Sequence, residues 1–121
     1  MALNNQHKSA SYDLSYLEEL SAGDSLFIKS IIKQFIAEAP EVIQKMVTAS
    51  NEQNWDDLAY QVHKFVPNLA FIGIHDIKEE MNKLELYSKQ RTDLAAIPRL
   101  LDILMKRCES AINSLKIDFE L

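Results

Sequence analysis

Apolar residues recur every three or four positions through most of this chain, and that period limits the possible folds more than any other feature. Side chains at this spacing share one face of an α-helix, whereas a half-buried strand alternates at every second position. No segment alternates over the length of a strand. With two glycines and three prolines in 121 residues, the chain also lacks the turn residues that hairpins need. The pattern predicts an all-α protein.

A short helix and four longer ones can be placed from these stripes. The short helix is predicted to begin at the N-cap candidate Asp13 and to end near Gly23. The four longer stripes are Phe27 to Val47, Trp55 to Ile72, Ile74 to Tyr87, and Leu94 to Leu115. Long amphipathic helices with short connections favour an antiparallel four-helix bundle, here with a short extra N-terminal helix.

Prolines, a glycine and a polar segment predict the helix boundaries. The first long stripe keeps its phase across Pro40, which predicts one kinked helix rather than two. Gly73 is placed to end the second helix, and the polar segment Ser88 to Asp93 is predicted to be a loop. Pro98 is tolerated only in a first turn, so the last helix should begin a little after Asp93.

Composition predicts one domain, residues 12–117, after a flexible polar lead-in, residues 1–11. The net charge is −5, and no Lys or Arg cluster suits a nucleic acid. No apolar run approaches the roughly 20 residues of a membrane span, and the polar residues 1–11 are not expected to act as a secretory signal. A single cysteine, Cys108, excludes an internal disulfide and is expected in the core. We therefore expect a cytoplasmic protein with neither a nucleic-acid nor a membrane partner.

Few residues can carry chemistry, and His63 is the one whose position is informative. The histidines and Cys108 are too scattered for a zinc pattern, so no metal site is expected. If Val62 marks the centre of the buried face, His63 lies about 100° round the helix, at the boundary between core and solvent. Its neighbours Ala59, Pro67 and Ala70 would leave it accessible to another protein. The alternative, favoured on this geometry alone, is a boundary histidine without a function.

The segment Val62 to Gly73 resembles the signature of histidine-containing phosphotransfer (HPt) domains. That signature has a histidine, an apolar residue two positions later, a lysine, a small residue, a small polar residue, and a pair closing the helix. The residues that fit are His63, Phe65, Asn68, Ile72 and Gly73. The resemblance extends over Tyr12 to Leu115 and includes the pair Leu84-Glu85, where the family carries a Leu-Glu ending.

The resemblance implies a phosphorelay intermediate and not an enzyme. His63 would accept a phosphoryl group from a receiver-domain aspartate and pass it to another receiver. The implied partners are response-regulator receiver domains, a hybrid histidine kinase, or both. No cofactor is expected on the chain itself, because Mg²⁺ would come with the receiver, and a monomer is expected. Glu85 would accept a hydrogen bond from the other ring nitrogen of His63, or would be a solvated surface carboxylate.

Two departures from the signature leave the function open. Val66 occupies the place of the family's lysine, and Pro67 occupies the place of its usual glycine. Lys64, or a lysine of the first long helix such as Lys33 or Lys45, is a candidate for the missing positive charge. Without that charge the chain would be a pseudo-HPt module that binds receivers and transfers nothing. The third possibility is a structural bundle in which His63 is incidental.

Partner docking is predicted for the surface around His63. The candidate residues are Tyr60, Pro67, Ala70 and Phe71. If the helix persists to its end, Phe71 projects about 180° from the core centre, and an exposed aromatic ring there would suit an interface. Alternatively, Phe71 folds under as the helix unwinds before Gly73.

Overall fold

The computed structural model describes residues 11–121, which contain helices and no strand. Five α-helices and one short 3₁₀ helix follow one another in the chain. They are α1 (Ser15–Ser21), α2 (Ser25–Asn51), α3 (Trp55–Ile72), α4 (Lys78–Gln90), the 3₁₀ helix Leu94–Ala96 and α5 (Ile97–Asp118). The long helices contact one another in the pairs α2–α3, α3–α4, α4–α5 and α2–α5. The prediction of an all-α protein is confirmed.

The apolar stripes of the long helices meet in one core. Phe35 of α2 stacks on Phe65 of α3, with ring centroids 6.2 Å apart. Cys108 of α5 is buried in the same core, as predicted. Phe27, the first residue of the first long stripe, is exposed, and so is Leu20 of α1. Among residues 11–121, no helix has both the length and the apolar character needed to cross a membrane.

Side-chain caps fix where α2 and α3 begin. The carboxylate of Asp24 accepts hydrogen bonds from the backbone N–H groups of Leu26 and Phe27, at 3.1 and 3.2 Å. The side chain of Asn54 accepts one from the N–H of Asp57 at 3.2 Å. These contacts satisfy N–H groups that have no partner inside a helix, so both helices start sharply after short connections.

The prolines lie where the sequence predicts them. Pro40 is inside the single continuous helix α2, and Pro98 lies in the first turn of α5. The predicted cap at Asp13 is less accurate. Helix α1 begins at Ser15 with Leu14 in the N-cap position, although the Asp13 carboxylate does accept the Ser15 N–H at 3.0 Å.

The predicted loop Ser88 to Asp93 is wrong in its first half, because α4 continues to Gln90. Ser88 is fully buried, and its hydroxyl donates a 2.5 Å hydrogen bond to the carbonyl of Leu84, one turn earlier. The hydroxyl therefore has its hydrogen-bond partner within the helix, and Ser88 can be buried there without ending the helix.

The segment before α1 packs on the end of α3. The N–H of Asp13 donates to the carbonyl of Ile72 at 3.1 Å. Gly73 follows with φ +77°, a left-handed conformation, and a Cβ at this position would overlap the backbone carbonyl of Asp13. Tyr12 is buried, and its hydroxyl donates to Asp118 at 2.6 Å. The segment thus joins the end of α3 to the end of α5.

Gly73→Ala should lower the free energy of unfolding by about 3 kcal/mol, because it adds a backbone overlap to the strain of a left-handed alanine. Gly23→Ala is the matched control. Gly23 has φ +80°, but a Cβ added there would have no atom within 4 Å, so only about 1 kcal/mol of strain is expected. Urea denaturation of both variants measures the difference, and equal losses would contradict the close approach of Asp13.

Cys108 should make the fold sensitive to alkaline pH. Burial raises the pKa of its thiol to about 12, against a smaller lowering effect of the Arg107 charge. Folding therefore favours the protonated thiol. The resulting stability is complete below about pH 8.5, where the unfolded thiol is protonated, and is lost as the pH rises towards the folded pKa.

We expect the free energy of unfolding to fall above pH 9 by up to about 1.4 kcal/mol per pH unit from this group. Cys108→Ala should flatten that fall when unfolding is followed at pH 7 and pH 10.5. The raised pKa of Tyr12, caused by burial and by Asp118, acts in the same direction in both proteins. Identical slopes would show that the thiol does not titrate with folding.

Candidate functional site

His63 stands at the surface of α3, next to a residue of the core. Its side chain is 79 % exposed, whereas the preceding residue, Val62, is fully buried. Because successive residues of an α-helix are about 100° apart, the burial of Val62 places the imidazole beside α4 with one edge in solvent. The ring is open to a molecule that approaches from outside.

Glu85 of α4 orients this ring. Its Oε2 lies 3.0 Å from Nδ1 of His63, and its side chain is only 23 % exposed. An ionised carboxylate can only accept a hydrogen bond, so Nδ1 carries the hydrogen and donates it. In the neutral imidazole the lone pair is then on Nε2. The contact fixes both the tautomer and the direction of the ring.

An open cleft of about 310 Å³ lies between α3 and α4 at this contact. Its lining residues are Asp56, Ala59, Tyr60, His63, Glu85 and Lys89. The carboxylate of Asp56 is paired at 3.2 Å with the guanidinium of Arg91, which follows α4. The cleft therefore has acidic groups at two places and an imidazole between the helices.

The cations proposed from the sequence do not line this cleft. Lys64 extends over the ring of Tyr60, with its ammonium 5.6 Å from the ring centroid. Lys33 and Lys45 are exposed on α2 and are not among the lining residues. Val66, at the position of the family's lysine, is partly buried against the core.

Sequence reasoning missed Lys89, which does line the cleft. A signal for it was available. Lys89 follows Glu85 by four residues on α4, and residues at this spacing are neighbours on a helix surface. The register of α4 against α3 was needed to recognise that this surface faces His63.

Three of the four predicted docking residues lie on α3 and are exposed, namely Tyr60, Pro67 and Ala70. The predicted exposure of Phe71 is wrong. Helix α3 persists to Ile72, yet Phe71 is half-buried because the ring of Tyr16 from α1 stacks on it at 5.8 Å. The aromatic surface at this place belongs to Tyr16, which is 49 % exposed.

In the part of the chain that the structure describes, no three His, Cys, Asp or Glu side chains are grouped so that they could hold a metal ion. The groups that can take part in chemistry at this site are therefore the accessible imidazole of His63, the carboxylate of Glu85 that orients it, and the charged side chains of the adjoining cleft.

The family model Hpt domain matches residues 30–116, which include most of α2, all of α3 and α4, and nearly all of α5. The chain belongs to the Hpt domain family. Hpt domains are phosphocarriers of two-component phosphorelays, and they interact with receiver domains and histidine kinases. This Hpt domain protein is accordingly involved in phosphorelay signalling. No curated protein and no solved structure matches the chain significantly.

The hydrogen bond to Glu85 predicts the tautomer of His63. At a pH where the ring is neutral, the Nδ1–H form should predominate. Glu85→Ala should reduce the ratio of the Nδ1–H to the Nε2–H tautomer about fivefold, because a hydrogen bond of this kind makes a net contribution of about 1 kcal/mol. Long-range ¹H–¹⁵N correlation NMR reports the tautomer directly.

His75 provides an internal control in the same spectrum. It is exposed, and its ring has no hydrogen-bond partner among residues 11–121. Its tautomer ratio should be the same in both proteins. An unchanged His63 signal in Glu85→Ala would contradict the orienting role of the carboxylate.

Proposed function

We propose that this Hpt domain protein accepts a phosphoryl group on His63 from the phosphorylated aspartate of one receiver domain and passes it to the aspartate of another. One observation above all supports this function. The imidazole is exposed, and its Nδ1 is bound to Glu85, so that the nucleophilic Nε2 is left for a partner. The resemblance of the surrounding segment to the HPt signature supports the same choice of residue.

The transfer is an in-line displacement at phosphorus. The lone pair of Nε2 forms the N–P bond while the P–O bond to the receiver aspartate breaks and that aspartate leaves as a carboxylate. The hydrogen remains on Nδ1 and keeps its hydrogen bond to Glu85. The negative charge of this carboxylate offsets the positive charge of the phosphorylated ring. Transfer to the second receiver reverses these bond changes.

The chain acts as a carrier, and its partner contributes much of the chemistry. A ring that is 79 % exposed lies in water until a receiver covers it, so docking must exclude solvent from the reacting atoms. The receiver also brings the Mg²⁺ that neutralises charge on the phosphoryl group, and no cofactor is required on the chain. Tyr60, Pro67 and Ala70 form the surface around His63 that a receiver or a hybrid histidine kinase would contact.

The support for this surface is an antiparallel four-helix bundle formed by α2 to α5. The short connections between them and their contacts in four neighbouring pairs support that arrangement. The bundle is formed within the single domain of residues 12–117 and acts as a monomer in the cytoplasm. Phe71 stacks on Tyr16 and supports the docking surface from beneath it.

A second candidate function is that of a pseudo-HPt module that binds receivers without accepting a phosphoryl group. Val66 favours it, because an apolar residue stands where the family signature has a lysine. The two functions differ in covalent chemistry and not in binding, which makes them separable in one assay.

The test is incubation of the chain with a ³²P-labelled receiver domain and Mg²⁺. We expect the label to pass to the chain in a form that is labile to acid and stable to base, as a phosphohistidine is. His63→Gln should accept no label, because it removes the nucleophile, and His75→Gln should accept as much as the wild type.

Receiver binding is measured in parallel by calorimetry. Binding without label would establish the pseudo-HPt function, and neither binding nor label would leave a structural bundle. Label that persists in His63→Gln would show that another residue carries the phosphoryl group.

A further inference from the structure

We propose that Lys89 supplies the positive charge that holds the phosphoryl group on His63, so that this charge comes from α4 and not from position 66 of α3. This inference rests on the proposed phosphotransfer at His63. It assigns a phosphate-binding role to a residue that lies outside the segment resembling the HPt signature.

The cleft beside His63 needs a positive charge. A phosphoryl group adds about 1.5 to 2 negative charges near neutral pH. It would enter a cleft that already contains the carboxylates of Asp56 and Glu85. Without a cation nearby, repulsion between these charges would oppose phosphorylation of the ring.

The other cations close to the cleft have partners. The guanidinium of Arg91 pairs with Asp56 at 3.2 Å, and the ammonium of Lys64 lies over the Tyr60 ring. Lys89 lines the cleft, and within residues 11–121 no carboxylate lies at ion-pair distance from its ammonium. It is therefore the lysine of this cleft that is available to a ligand.

The placement of Lys89 suits a group on Nε2. Glu85 binds Nδ1, and Lys89 lies one turn further along the same face of α4. One helix thus contributes the carboxylate that binds the near nitrogen and a lysine side chain that lines the cleft beside the ring. The ammonium of a lysine is carried on a flexible stem and can reach a ligand there. Val66, in contrast, packs against the core. A lysine at this position would bury its aliphatic stem and extend its ammonium group into solvent.

Phosphoramidate tests this role without a receiver. It is a small anionic donor whose N–P bond breaks, with loss of ammonia, as Nε2 forms its own bond to phosphorus. Lys89→Gln should slow formation of phospho-His63 about threefold to tenfold, as expected for a partly screened charge acting on a multiply charged anion. Lys89→Arg should retain most of the wild-type rate.

Lys83→Gln is the matched control. Lys83 is exposed on the same helix, pairs with Glu79 at 3.5 Å and does not line the cleft. It should leave the rate unchanged. Raising the salt concentration to about 0.5 M should reduce the difference between wild type and Lys89→Gln, since salt screens exposed charges.

A second measurement reports the charge at the phosphoryl group itself. The ³¹P resonance of phospho-His63 follows the last ionisation of that group, and a nearby cation favours its dianion. Lys89→Gln should therefore raise the proton affinity of the phosphoryl group about threefold. The midpoint of the ³¹P titration would then move to higher pH. A residue with only a structural role would not move it.

Relocating the charge completes the test. Adding Val66→Lys to Lys89→Gln should recover at least half of the lost rate, because it returns a cation to the position that the family signature uses. If wild type and Lys89→Gln react at the same rate and share one ³¹P midpoint, Lys89 does not bind the phosphoryl group, while the carrier function stands. If wild type accepts phosphate from neither phosphoramidate nor a receiver, both proposals are wrong.

Discussion

Burial of one face of α3 is the constraint on which the rest of the site depends. Val62 is fully buried, and the next residue, His63, has an exposed side chain. The packing of α3 between α2 and α4 fixes its rotation about its own axis, and a rotation by one residue would carry the imidazole into the core or away from Glu85. The apolar residues of the core thus determine where the imidazole of His63 points.

Much of this arrangement follows from periodicity alone. The long helices, the continuity of α2 across Pro40 and the burial of Cys108 all come from spacings of three and four. The boundary position of His63 also follows, because it depends only on its own helix. Polarity is a poorer guide at Ser88. It predicts a loop there, because it takes no account of the backbone carbonyl that satisfies the hydroxyl within the helix.

Contacts between helices are the part that one helix at a time cannot reveal. Phe71 projects from α3 as expected, but α1 covers it with Tyr16. Lys89 becomes part of the site only through the register of α4 against α3. Position 66 belongs here as well, since Val66 packs against the core and contributes to the packing of α3. Family membership defines the class of chemistry, and these contacts define how this chain would perform it.

The buried thiol of Cys108 has a practical consequence for studying the encounter with a partner. Because burial raises the pKa of this thiol to about 12, very little thiolate is present at pH 7. Maleimide dyes and spin labels react with thiolates, and this is the chain's one cysteine. A cysteine introduced on the outer face of the bundle would be the sole target for such a probe. Distances between the labelled chain and a bound receiver could then be measured without replacing Cys108.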